Sequence, residues 1–306
     1  MVAPPALTPF GGPHKLTAAD HPKGEGMAIR RHIWAAAAAA ALASPGAAWA
    51  AVDFSAYYAP NFHEDQPERI PGPDVGDYAG LPINQAARMH GDAWNASIAT
   101  MPERQCFPHP APYELRSVNF LHMWETRDNA TQALTKIELE QGAWVSHRDI
   151  WMDGRAHPPA WALPTHQGFS TGRWEGDALV VKTTHLKYSF IRRNGLPMSD
   201  KAEMTERFIR HGNVLHYVMM LVDPVYLTEP LVKTTVYTVA ERPNPRAYPC
   251  RPAVEIPRPA GEVPHNGMGD HAAAVEYAAR YDLPLEGVRG GAETALPEFM
   301  DTIAER

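Results

Sequence analysis

The sequence predicts a mainly β protein, an antiparallel β-barrel or sandwich with an N-terminal helix and a C-terminal helical tail. Three observations carry that prediction. From residue 113 to 240 apolar residues recur with a period of two, the spacing of strands with distinct faces. Turn-forming pairs, among them Asp153-Gly154, Asn194-Gly195 and Gly212-Asn213, punctuate the same stretch. Thirty prolines in 306 residues leave little room for long uninterrupted helices. No helical segments alternate with the strand candidates, which disfavours a parallel α/β fold.

The elements follow in order. Met27 to His32 is basic, an apolar run from Ile33 to Ala43 follows, and Ala48-Trp49-Ala50 has small residues at a cleavage spacing. That order is a secretory signal peptide, cleaved near Ala50. The apolar run falls short of the roughly 20 residues a membrane span needs, so the mature chain is expected to carry no transmembrane segment. Residues 1–26 read as an upstream extension. The expected location is the periplasm or the exterior.

Removal of residues 1–50 takes four basic and two acidic groups from 28 and 35, leaving a formal charge of -9 and twelve of fifteen histidines. This acidity offers no footprint for nucleic acid. Residues 51–105 read as an extended, proline-rich leader with a helix over 83–100. Residues 106–250 read as the β core, with strands over 113–124, 134–140, 143–152, 178–187, 203–211, 214–222 and 231–240. Residues 251–306 read as a proline-rich wrap followed by helices over 270–281 and 293–305. The strand 214–222 is apolar on both faces and reads as buried and central.

Two cysteines in an exported chain predict one disulfide, Cys106 to Cys250, with two free thiols as the alternative. A bridge that long stabilises by about 4–5 kcal/mol in the chain-entropy account.

The candidate chemistry comes from strand faces that mix ionisable and apolar groups. On 203–211, Glu206 and Arg210 share a face with Met204 and Phe208. On 143–152, His147 and Asp149 run with Val145 and Trp151. Histidine is the natural acid or base near neutral pH. The expected catalytic groups are His185, His211 and Glu206. Lys187 and Arg192 are expected to orient an anionic group, with His147, Trp151 and Tyr217 lining the substrate site. His157 and His166 lie on a loop between strands and are secondary candidates. No local metal motif is present, so no metal and no organic cofactor is expected; a site assembled from His147, His185 and His211 is the minor alternative. Gly168-x-Ser170-x-Gly172 matches a nucleophile elbow by letters but precedes a strand rather than a helix.

Asp153-Gly154-Arg155-x-His157-Pro158, Gly172-Arg173-Trp174-Glu175-Gly176-Asp177-x-Leu179-Val180-Val181 and Asp223-Pro224-Val225-Tyr226-Leu227-Thr228-Glu229-Pro230 resemble a widespread family of exported bacterial hypothetical proteins. Thr184-His185-Leu186-Lys187, Ile191 to Gly195 and Thr205 to His211 resemble one branch of it. The resemblance spans about residues 80–265. It implies a β-rich exported domain and brings no assigned activity and no catalytic residues. Phe169 stands where many members carry histidine.

The leading expectation is an exported enzyme acting on a small, partly apolar, possibly anionic molecule by histidine and carboxylate acid–base chemistry, as a lyase, isomerase or hydrolase. The alternative is a lipocalin-like periplasmic carrier of a small molecule without turnover. A third reading is a structural envelope protein.

Overall fold

The computed structural model describes residues 52–61, 73–94, 106–115, 120–142, 146–242, 259–262, 266–267 and 269–304. The expected signal peptide, Cys250 and most of the proline-rich wrap lie outside them. Nine strands close a barrel in the order β1-β11-β10-β9-β6-β5-β4-β3-β2. They are β1 Ala56–Pro60, β2 Leu121–Arg127, β3 Leu134–Gln141, β4 Ser146–Trp151, β5 Phe169–Glu175, β6 Ala178–Thr184, β9 Glu203–His211, β10 Val214–Val222 and β11 Leu231–Val239. A small hairpin, β7 Ser189–Phe190 with β8 Pro197–Met198, stands apart. The chain is therefore mainly β and a barrel.

Neighbouring barrel strands run antiparallel, except β4 and β5. Those two run parallel and touch at Ile150↔Ser170 and Trp151↔Thr171. The 152–168 loop leaves and re-enters the wall at the same level, so β5 continues in the direction of β4. The β9–β10 hairpin turns at Gly212, whose φ of 58° is a backbone that glycine adopts without strain. β6 ends where His185 takes φ 57°, which breaks the extended run three residues before the expected end at 187.

Three expectations need correction. The leader contributes β1, which pairs with both β11 and β2 and closes the barrel. Only Tyr58 of its residues is buried, so it carries almost no alternation to read. Residues 113–124 do not form one strand: Ala111–Glu114 is a short helix, α2, and β2 starts only at Leu121. Pro112 near the helix start supplies a φ suited to the first turn. β10 buries one face only, with Met220 and Val222 exposed on the other.

Helix α1, Gln85–Ala93, starts at Asn84, whose side chain accepts from the Ala87 amide at 3.1 Å. It is shorter than the expected 83–100. The tail forms α3 Ala272–Arg280, α4 Leu285–Val288, a 3-10 turn over Ala292–Ala295 and α5 Pro297–Ala304. The Arg289 guanidinium pairs bidentately with buried Asp92 at 2.5 and 2.7 Å, and Arg88 donates to the Arg289 and Gly290 carbonyls. The tail is thus tied to α1. Among the described residues, no helix is long and apolar enough to cross a membrane.

The core lies inside the barrel. Alternate residues on each strand point inward, and Leu121, Met123, Leu139, Leu179, Phe208 and Leu215 are fully buried there.

Candidate functional site

The same alternation that builds the core also carries charge into it. β4 sends Ser146, Arg148 and Ile150 inward, and β9 sends Met204, Glu206 and Phe208. The Arg148 and Glu206 side chains are 1% and 0% exposed. The guanidinium donates twice to the carboxylate, Nη1 to Oε2 at 2.9 Å and Nη2 to Oε1 at 2.8 Å. Tyr217, from β10, donates to Glu206 Oε1 at 2.8 Å. A bidentate pair of this kind is the arrangement that compensates two buried charges. Burial opposes the Arg148 charge, but Glu206 and Glu114 outweigh it and raise the pKa. Burial, reinforced by the Glu206 charge, pushes the Tyr217 hydroxyl well above its ordinary value, so it remains a donor.

A second carboxyl approaches from the chain's own interior segment. The Ala111 amide donates to the His166 carbonyl at 2.9 Å, while Tyr237 on β11 donates to the Leu115 carbonyl. Glu114, at the end of α2, comes to 3.8 Å from Arg148 Nε on β4. β4 and β11 stand on opposite sides of the barrel, so the end of α2 lies within it. Cys106, a few residues before α2, is disulfide-bonded; its expected partner, Cys250, lies outside the described residues.

Glu114 is 1% exposed. Burial lifts its pKa to about 8, a rise that Arg148 moderates and Glu206 reinforces. The carboxyl is therefore largely neutral at pH 7. Both its oxygens are buried without a hydrogen-bond partner, and so are Ser146 Oγ and Arg148 Nε. Buried polar groups are nearly always paired, with protein, water or ligand. Two of these groups face each other across 3.8 Å. At the usual hydrogen-bond length of about 2.9 Å, an oxygen placed off the line that connects them would bridge both.

The expected site residues scatter. Glu206 and Tyr217 meet, as above. His185 sits beyond β6 at the barrel mouth, where Nε2 donates to the Pro159 carbonyl at 3.0 Å and Nδ1 faces Thr184 Oγ1 at 2.8 Å. Thr184 also meets His157 at 2.7 Å, and His157 meets Thr171 at 2.8 Å. Burial, with the nearby Lys182 and His185, lowers the His157 pKa. His211 is exposed at the opposite end: Thr183 pairs with Met204 and Ala178 with Ile209, so roughly 30 Å of strand separates it from His185. His185, His211 and Glu206 thus form no common constellation.

The expected substrate-binding residues are equally dispersed. Lys187 is exposed and held by its amide to the Thr165 carbonyl. Arg192 donates to the Asp77 carbonyl at 3.0 Å and ties down an N-terminal loop. His147 and Trp151 are on the outer face of β4; the Arg155 guanidinium stacks 3.4 Å over Trp151. The three imidazoles of His147, His185 and His211 are likewise apart.

Sequence reading missed Arg148, Glu114 and Ser146. Arg148 shares its parity with Ser146 and Ile150, and that alternation was the available signal. Glu114 had none, because its segment reads as strand.

No protein-family model matches the chain, and no curated protein matches it. Among solved structures, a variant of the fluorescent protein UnaG is similar at 11% identity, covering 62% of this chain and 97% of that one, with a TM-score of 0.27. A likeness that low carries no argument about fold or ligand. The barrel assignment rests on the strand order of the chain itself.

Proposed function

We propose that the chain is an exported small-molecule-binding barrel that holds its ligand without turnover. The observation that supports this reading is the set of unpartnered buried atoms on Arg148, Ser146 and Glu114. The cluster also defines a ligand class. Arg148 is neutralised by Glu206, and Glu114 is mostly protonated at pH 7. An anion there would be left without a free countercharge, at a large desolvation cost. The cluster suits an uncharged oxygen, a hydroxyl or carbonyl on an otherwise apolar molecule. Arg148 Nε and Ser146 donate to it, and Glu114 can donate or accept. The separation of His185 and His211 from Glu206 favours binding over acid–base catalysis.

The test is a thermal-shift series on the mature chain with matched apolar alcohols, ketones and carboxylates. Alcohols or ketones should raise the midpoint, and Ser146→Ala and Glu114→Gln should both weaken that rise. Recovered ligand should be chemically unchanged. If no compound shifts the midpoint, or the two variants respond as the wild type does, the gap holds only water and the reading is wrong.

A further inference from the structure

The outer face of β3 and β4 holds a second polar cluster, unconnected with the interior. Glu138 and Asp149 are direct cross-strand partners, and His147, two residues from Asp149, shares their face. His147 Nε2 lies 3.4 Å from Glu138 Oε2 and 3.3 Å from Asp149 Oδ1. One ligand atom from each of the three lies within 4.8 Å of the others. Zinc bonds to nitrogen and oxygen are about 2.0–2.1 Å, which makes the edge of a coordination tetrahedron about 3.3–3.4 Å. The imidazole thus already stands at tetrahedral edge distance from both carboxylates.

Two further features bear on the cluster. Thr126 Oγ1 hydrogen-bonds Glu138 Oε1, leaving Oε2 toward His147; metal-binding carboxylates are commonly oriented by such contacts. The Lys136 ammonium lies 2.9 Å from Asp149 Oδ1 and 3.2 Å from Glu138 Oε1. The same two carboxylates therefore already collect a cation. With Lys136 included, they retain one uncompensated negative charge. The Lys136 ammonium is also 5.6 Å from the Trp151 ring, which offers it a cation–π position when it leaves the carboxylates.

We propose that Glu138, His147 and Asp149 bind a divalent transition-metal ion of the zinc type, in competition with the Lys136 ammonium. The three side chains supply one nitrogen and two oxygens. Because His147 is 44% exposed, the fourth position opens to water. Stiff, directly paired strands hold two of the ligands in register, so little ordering is needed on binding.

The test is calorimetric titration of the mature chain with zinc chloride, with native mass spectrometry for stoichiometry. Wild type should take up one zinc ion at this site. His147→Ala removes a direct ligand and should weaken that binding by more than the about 10–100-fold that loss of an outer-shell partner costs. Lys136→Met should tighten it, since the competing cation is gone. His211→Ala, an exposed histidine elsewhere, should leave it unchanged. The proposal is overturned if wild type takes up no zinc, if His147→Ala binds as wild type does, or if Lys136→Met fails to tighten binding. In the first two cases the cluster is a surface salt-bridge network only; in the third, Lys136 does not compete for the carboxylates.

Discussion

Arg148→Met is the sharpest perturbation of the barrel interior. Arg148 makes two charge-assisted bonds to Glu206, both partners essentially unexposed. Methionine fills comparable space but leaves the Glu206 carboxylate with Tyr217 alone. Removing one partner of a buried pair costs about 3–5 kcal/mol. At about 2–4 °C per kcal/mol for a chain of this size, the melting midpoint should fall by roughly 6–20 °C. Glu206→Gln should cost less, about 1–3 kcal/mol. Arg148 then still has Glu114 at 3.8 Å, and the loss of the Glu206 charge lets Glu114 ionise and take over the pairing. Paired removal, Arg148→Met with Glu206→Leu, should recover most of the loss. Urea unfolding at pH 7, followed by tryptophan fluorescence, measures all three. The reasoning is refuted if Arg148→Met lowers stability by less than about 1 kcal/mol, the scale of an exposed pair, or if Glu206→Gln is as damaging as Arg148→Met.

Other outcomes follow from the same structure. In the fold Glu114 holds its proton to about 8, against an ordinary 4.5; the folded chain binds the extra proton, so stability falls as pH rises through that window, by up to about 1.4 kcal/mol per unit. Glu114→Gln should flatten this fall, and parallel urea-midpoint curves for variant and wild type would count against it. His109 works in the opposite direction: burial, aided by Arg193, lowers its pKa from 6.5 to about 3, so the unfolded chain takes the proton and stability drops as pH falls from 6.5 toward 3. His109→Gln should shallow the acid limb of the same titration; an unchanged limb would show that His109 does not set it. Gly195 has φ 93° and no room for a Cβ against Trp94; Gly195→Ala should lower stability by about 1–3 kcal/mol, and an unshifted melting midpoint would contradict that placement.

Much of the barrel could be read in the sequence because period-two patterning and glycine turns are local signals. β9 and β10 were expected over 203–211 and 214–222, the residues they occupy. β1 was hidden because five residues with one buried side chain carry too little alternation to stand out. α2 was misread because its apolar residues serve packing inside the barrel rather than a strand face. The interior cluster was half visible. Glu206 among Met204 and Phe208 is a carboxylate on an apolar face, which announces a buried charge. Its partner was not visible, because Arg148 and Glu206 are joined only by barrel closure. Histidines drew attention for their chemistry, yet His211 and His147 have outward parity, and His185 is occupied by Thr184 and the Pro159 carbonyl.

The central claim is that Arg148, Ser146 and Glu114 hold the oxygen of a small apolar molecule. Native mass spectrometry of the mature chain, purified from its producing cells without detergent or organic solvent, tests it most directly. The wild type should carry an added mass of one small molecule, much reduced in a Ser146→Ala, Glu114→Gln double variant that still folds. No organic adduct in either, or the same organic adduct in both, would contradict it.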